Sequence, residues 1–272
     1  MTRLTPSNRT DKIEALLDLV RRLAPQNIDS NLGCLSELVS DDLDTQDEFL
    51  GSVDKPLEIR TDSSNREYLI CDYNRDGDSY RSPYTNSYSP ELSDGTLPSP
   101  QLRQLETGMN DALETYRDMY FEGGLSSVYL WDLDGSANFA GVVLIKKTVD
   151  DGSWDSVHVF EVSTHGREAN YKLTTTVILS LKNDEKESKT NLSGSLTRQC
   201  ETNANVPAPS AHITNIGRLI EEHERGIRNS LAEVYLGKTK DILNEIRIIN
   251  GQGEEFRKRS LQQELLGKLK SK

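Results

Sequence analysis

Phe139-Ala140-Gly141-Val142-Val143-Leu144-Ile145-Lys146-Lys147 decides the fold class. It lies in a long stretch, from Ser126 to Gln199, where the sequence pattern has a period of two, and it reads as a strand. Working outward, Ser127 to Asp132, Trp154 to Val162, Asn170 to Leu181 and Thr190 to Gln199 read as four more strands. Asp134-Gly135, Asp150-Asp151-Gly152, His165-Gly166 and the charged stretch Lys182 to Lys189 separate them. Connections this short favour an antiparallel meander over parallel crossovers. Such a sheet has two edges, and an unprotected edge invites pairing with another chain.

Helical patterns flank the sheet, so the fold class is α+β. At the start, Ile13, Leu16, Leu17, Val20 and Leu23 recur at helical spacing, with Asp11 and Glu14 as a capping pair and Pro25 as the stop. Ile28, Leu32, Leu35 and Val39 mark a second helix, and an acidic third follows near Asp44 to Leu50. Pro56 to Pro100 is loop-rich, with one short strand expected around Tyr68 to Cys71. Ser99-Pro100 then opens a helix, because serine caps free amides and proline is tolerated in the first turn. Leu102, Leu105, Met109, Ala112, Tyr116 and Met119 give that helix an apolar stripe until Gly123-Gly124.

After a polar linker, Glu201 to Ser210, the positions Ile213, Ile216, Ile220, Ile227, Leu231, Val234, Ile242, Ile246 and Ile249 keep one apolar face. A helix of that extent is roughly 55 Å long at 1.5 Å per residue. One five-stranded sheet is too narrow to cover it, so a partner's surface is expected. Asn250-Gly251-Gln252-Gly253 reads as a hinge. Beyond it Leu261, Leu265, Leu266 and Leu269 form a narrow stripe on a short helix, with Arg257, Lys258, Arg259, Lys268 and Lys270 around it. A helix this short is marginal in water and needs a surface to land on. Read from the residues alone, that surface is the subunit itself or a dimer partner.

Composition narrows the function. The 272 residues carry a net charge of −12, which disfavours a general nucleic-acid binder, since phosphate recognition needs a basic face. The three cysteines, Cys34, Cys71 and Cys200, suit neither a disulfide framework nor a four-ligand zinc site and read as buried or idle thiols. No segment approaches the roughly 18 apolar residues of a membrane span, and a cytosolic protein is expected. His158, His165, His212 and His223 lack metal-ligand spacing, and His158 reads as a satisfied structural histidine in a strand. Gly237-Lys238-Thr239 resembles the end of a phosphate loop, but Ala232 stands where that motif needs glycine, and the surroundings read as helix. Catalytic residues, cofactor and metal are all expected to be absent.

The segment from Asp72 to Pro83 begins like a calcium loop, with Asp72, Asn74, Asp76 and Gly77 in register. Position twelve is Pro83, which has no side-chain oxygen, and a strand precedes the loop where the motif needs a helix. A structural turn is the stronger reading; a calcium-responsive module using Asp72 to Asp78 is the alternative.

The wording of that loop carries a resemblance. Cys71-Asp72-Tyr73-Asn74-Arg75-Asp76-Gly77-Asp78-Ser79-Tyr80-Arg81-Ser82-Pro83 resembles the signature of the beta subunit of the heterodimeric F-actin capping protein. Tyr120 to Asp134, Gly194 to Gln199, Asn215 to Leu219 and Gly237 to Ile242 are similar to the same family, in the same order. Tyr84 departs from it, standing where many members have tryptophan.

The resemblance implies a mushroom-shaped heterodimer whose alpha subunit completes one ten-stranded sheet, with the two long helices antiparallel across it. It implies binding to actin filament barbed ends, which blocks subunit addition and loss, and a place in the actin cytoskeleton. Contact is expected through a mobile C-terminal tentacle carrying Leu261, Leu265, Leu266, Leu269, Arg257, Lys258 and Arg259. Anionic phosphoinositides and capping-protein regulators are implied as inhibitors. The implied divisions are a helical stalk at 1–55, a loop-rich globule and helix at 56–124, the sheet at 125–200, the linker and long helix at 201–250, and the tentacle at 251–272.

Overall fold

The computed structural model describes residues 6–134, 138–183 and 190–249. The chain divides into two compact units, Met1–Arg225 and Gly226–Lys272. The first begins with three helices, α1 (Pro6–Arg22), α2 (Ile28–Glu37) and α3 (Leu43–Gly51). Leu16, Val20, Leu32, Leu35, Val39 and Phe49 form their shared core. α1 starts at Pro6, so Asp11 lies inside the helix and is not its cap. Leu23, expected on the apolar stripe, lies beyond the helix end and is exposed.

The loop-rich region holds more strand than its sequence suggests. β1 (Glu58–Thr61) and β2 (Glu67–Ile70) form a hairpin, and β3 (Arg75–Asp76), β4 (Ser79–Arg81) and β5 (Tyr88–Ser89) form a second small sheet. These strands span two to four residues, too few for an alternating pattern to declare itself.

α4 (Pro100–Tyr120) starts as read: the Ser99 side chain accepts from the Leu102 amide, with proline in the first turn, a cap worth about 1 kcal/mol. Its buried face differs from the expected stripe. Ala112 and Met119 are exposed, while Glu106, Asn110 and Leu113 are buried with Leu102 and Met109. A search for apolar spacing passes over the two buried polar residues.

The five strands of the meander are β6 (Leu125–Asp132), β7 (Phe139–Val149), β8 (Gly152–His165), β9 (Glu168–Asn183) and β10 (Thr190–Asn205), in the order β10-β9-β8-β7-β6 and antiparallel throughout. β10 runs on to Asn205, so the first half of the expected linker is strand. Cys200 and Ala204 pack on the helix-side core, and Asn203 bonds Asn170 across the pair at 2.9 Å.

Period-two alternation divides the sheet into two buried faces. Val128, Val143, Ile145, Phe160, Val162, Tyr171 and Leu173 meet Leu102, Met109 and Leu113 of α4 and Ile216 and Ile220 of α5 (Ala211–Ile249). Tyr129, Val142, Leu144 and Val157 meet Leu57, Tyr68, Leu69 and Ile70 on the other side. Gly141 lets Phe160 cross β7: a Cβ there would lie 2.6 Å from Phe160 Cζ and 2.4 Å from Leu130 Cδ2.

Candidate functional site

The two edges of the sheet are built differently. On β6, Ser126, Val128 and Leu130 turn backbone groups away from β7, and side chains satisfy them. Val128 N–H donates to Asn110 Oδ1 at 2.9 Å, and Asn110 Nδ2 donates back to Val128 O at 3.1 Å. Leu130 N–H donates to Glu106 Oε2 at 2.6 Å, and the Arg81 guanidinium reaches Leu130 O at 3.5 Å. Tyr84 Oη donates to Ser126 O at 3.3 Å. These bonds occupy the groups that a further strand would need at Val128 and Leu130.

An ion cluster holds this seal in place. Glu106, fully buried, takes a two-pronged bond from Arg81 at 2.8 and 2.7 Å and a third from Arg103. Arg81 belongs to the signature loop, whose buried members are structural. Asn74 accepts from the Cys71 amide and donates to Arg81 O, each at 2.9 Å, and Ser82 Oγ donates to Asp62 at 2.9 Å. Gly77, at φ 57°, makes the tight turn between β3 and β4.

The calcium-like segment is therefore a 3-10 turn and a hairpin rather than a helix-loop-helix. Asn74 is committed to Cys71 and Arg81 and Asp76 accepts from the Thr96 amide at 3.4 Å, whereas Asp72 and Asp78 are exposed beside Arg75. Cys71 is partly buried, and burial pushes its thiol up to about 12. Cys200 is also partly buried, whereas Cys34 is exposed; all three are free.

β10 presents the opposite case. Over 16 residues it pairs with β9 alone; at its end Asn215 Nδ2 donates to Asn205 O at 3.1 Å, and among the described residues no second strand pairs with it. α1 rests near it, and a pocket between them is lined by Leu17, Val20, Ser195 and Thr197. The only charged side chains on β10 are Arg198 and Glu201, so the edge lacks the run of lysines that commonly blocks strand addition.

The helix-side face carries a second polar cluster. His158 and Glu224 are both fully buried; His158 Nε2 lies 3.1 Å from Glu224 Oε1, and Nδ1 lies 3.0 Å from Thr175 Oγ1. Ser156 and Tyr116 also donate to the Glu224 carboxylate. Burial alone would raise that carboxyl, but the bonds and charge from His158, with Tyr116 and Ser156, outweigh it and hold it below the usual range. His158 is thus a satisfied structural histidine, as its strand position suggested. Gly237-Lys238-Thr239 lies inside α5 in helical backbone. Arg257, Lys258, Arg259, Leu261, Leu265, Leu266 and Leu269 lie outside the described residues.

A family model described as F-actin capping protein, beta subunit, matches residues 13–243. The chain belongs to the F-actin capping protein beta-subunit family. A relative named F-actin-capping protein subunit beta, from Emericella nidulans, is 48% identical over 262 residues, covering 94% of this chain and 97% of the relative. One of the same name from Drosophila melanogaster is 51% identical over 263 residues, covering 93% and 94%.

Among solved structures, the homodimeric actin capping protein alpha subunit from Plasmodium berghei aligns over 90% of this chain and 98% of its own, with a TM-score of 0.52 and 16% identity. At that identity the likeness is one of fold: the beta-subunit family member here shares its architecture with an alpha subunit. The family is described as a capping protein and not as an enzyme class. Among the described residues no helix is long and apolar enough to cross a membrane.

Proposed function

We propose that this chain is the beta subunit of a heterodimeric capping protein that binds the barbed ends of actin filaments in the cytoplasm and blocks subunit addition and loss without calcium. The observation that carries the heterodimer is the contrast between edges, with β6 capped by Asn110, Glu106, Arg81 and Tyr84 and β10 paired with β9 alone. An alpha subunit of similar fold adding its own edge strand to β10 makes one ten-stranded sheet. Membership of the beta-subunit family supports the filament end as target.

Residues 251–272 are proposed as the actin-binding tentacle, with Leu261, Leu265, Leu266 and Leu269 as apolar anchors and Arg257, Lys258 and Arg259 steering toward acidic surface. Burying each leucine contributes roughly 1.5–3 kcal/mol, reduced by the ordering of the helix. No covalent step is involved; inhibition follows from occupying the place of an incoming monomer. Phosphoinositides and regulator proteins are proposed as inhibitors on the same grounds of kinship. Co-expression with an alpha subunit, followed by seeded pyrene-actin elongation, tests the reading. Barbed-end growth should stop and be insensitive to calcium chelation; unchanged growth with a folded heterodimer would contradict it.

A further inference from the structure

Of the charged pair on β10, Arg198 and Glu201, only one is answered within the chain. Successive residues of a strand alternate between the faces of the sheet. Cys200 and Ala204 pack into the helix-side core, so Arg198 shares that face and Glu201 lies on the other. Glu201 stands directly opposite Lys172 of β9, a cross-strand pair of opposite charge. Arg198 stands opposite Thr175, which is fully buried and bonded to His158. Arg198 itself is exposed, and among the described residues no carboxylate forms an ion pair with it. Burial, and after it Glu222 of α5, raises the Cys200 thiol, but that carboxylate is already paired with Arg218 at 3.0 Å.

A strand added to this edge changes the setting of Arg198. Antiparallel neighbours keep the faces of the sheet, so helix-side residues of a joining strand come to lie against helix-side residues of β10. Consider first a second copy of this chain. β10 spans Thr190–Asn205, and Arg198 lies beside its midpoint. In the registers that overlap most, Arg198 meets either Arg198 or Leu196 of the second copy, and in the latter case the second Arg198 is its diagonal neighbour. Like charges so placed repel, and sliding the strands to part them gives up ladder hydrogen bonds. A different strand relieves the repulsion if it is not basic at that place. It does more if it is acidic, because a guanidinium enclosed at the join costs free energy unless it is paired, and its planar fork fits a carboxylate.

We propose, resting on the heterodimer reading above, that Arg198 selects the joining strand: it turns away a second copy of this chain and accepts an alpha-subunit strand that sets a carboxylate against it on the helix side.

Two differently tagged copies of the full-length chain, one parent and one variant, co-expressed with a limiting alpha subunit, test this. Complexes are purified through the alpha subunit and the two copies counted by mass spectrometry. Arg198→Thr keeps a good strand former and removes the charge, so it should be under-represented by at least about fivefold. Arg198→Lys, which keeps the charge without the fork, should fall between Arg198→Thr and the parent. Arg198→Glu should be nearly excluded, and lysine in place of one acidic residue on the alpha subunit's edge strand should bring it back, which separates pairing from misfolding. Without the alpha subunit, soluble pairs of parent with Arg198→Glu should outnumber pairs of either with itself. The proposal is overturned if Arg198→Thr enters the complex as readily as the parent, if no alpha-subunit substitution restores Arg198→Glu, or if mixed pairs are no commoner than like pairs. A parent chain that enters no complex with the alpha subunit would overturn the heterodimer reading and this proposal with it.

Discussion

At the scale of the residue, the buried polar groups carry the most weight. Glu106 answers two guanidinium groups and one strand amide at once. Glu106→Gln leaves Arg81 buried with a weakened partner, and such a break costs about 3–5 kcal/mol. Chemical denaturation should register that loss, whereas a change under about 1 kcal/mol would show that the cluster is solvated in solution. His212 gives a pH signature. Its folded-state pKa lies below the ordinary value of 6.5, so as pH falls through about 6.5 the unfolded chain binds a proton that the folded chain refuses. Stability therefore drops on the acid side of that value, by at most about 1.4 kcal/mol per pH unit from this group. His212→Phe should flatten that slope; an unchanged slope would place the titration elsewhere.

At the scale of the element, the unequal edges make a direct prediction for hydrogen exchange. In the purified heterodimer the Val128 and Leu130 amides should exchange slowly, because Asn110 and Glu106 accept from them. The outward amides of β10 should be protected as well, by the strand of the alpha subunit. Fast exchange of those β10 amides in a folded heterodimer would contradict the assignment of the joining edge.

The sheet was legible because long strands repeat their alternation many times, and α4 because serine and proline announce its start. Three things stayed hidden. β2 was expected around Tyr68 to Cys71, but β1 and β3 to β5 are too short to show a period. The tail of β10, Cys200 to Asn205, is too polar to read as strand until its pairing with β9 is seen. Glu106 and Asn110 look like ordinary surface residues of an amphipathic helix; only the position of the β6 edge reveals that they stand in for a neighbouring strand. The signature loop read as a structural turn in spite of its calcium-like start, because Asp, Asn and Gly serve tight turns and calcium loops alike and Pro83 removes the twelfth ligand.

At the scale of the whole molecule, the account predicts a subunit that does not stand alone. Expressed without an alpha subunit, the chain should aggregate or melt without cooperativity, since among the described residues β10 has no second strand beside it. A monodisperse, cooperatively melting monomer would contradict this. Within the heterodimer, alanine at Leu261, Leu265, Leu266 and Leu269 should speed loss from filament ends, because apolar contacts made after docking act on dissociation. Neutralising Arg257, Lys258 and Arg259 should slow arrival at low salt.

The central claim is that this chain, joined to an alpha subunit, occupies the barbed end. Single-filament microscopy of actin elongating from immobilised seeds tests it most directly, with the purified heterodimer added at constant monomer. The predicted result is that fast-growing ends stop abruptly and stay stopped while pointed ends keep growing. Barbed ends that elongate at the uncapped rate in the presence of a verified, folded heterodimer would contradict it.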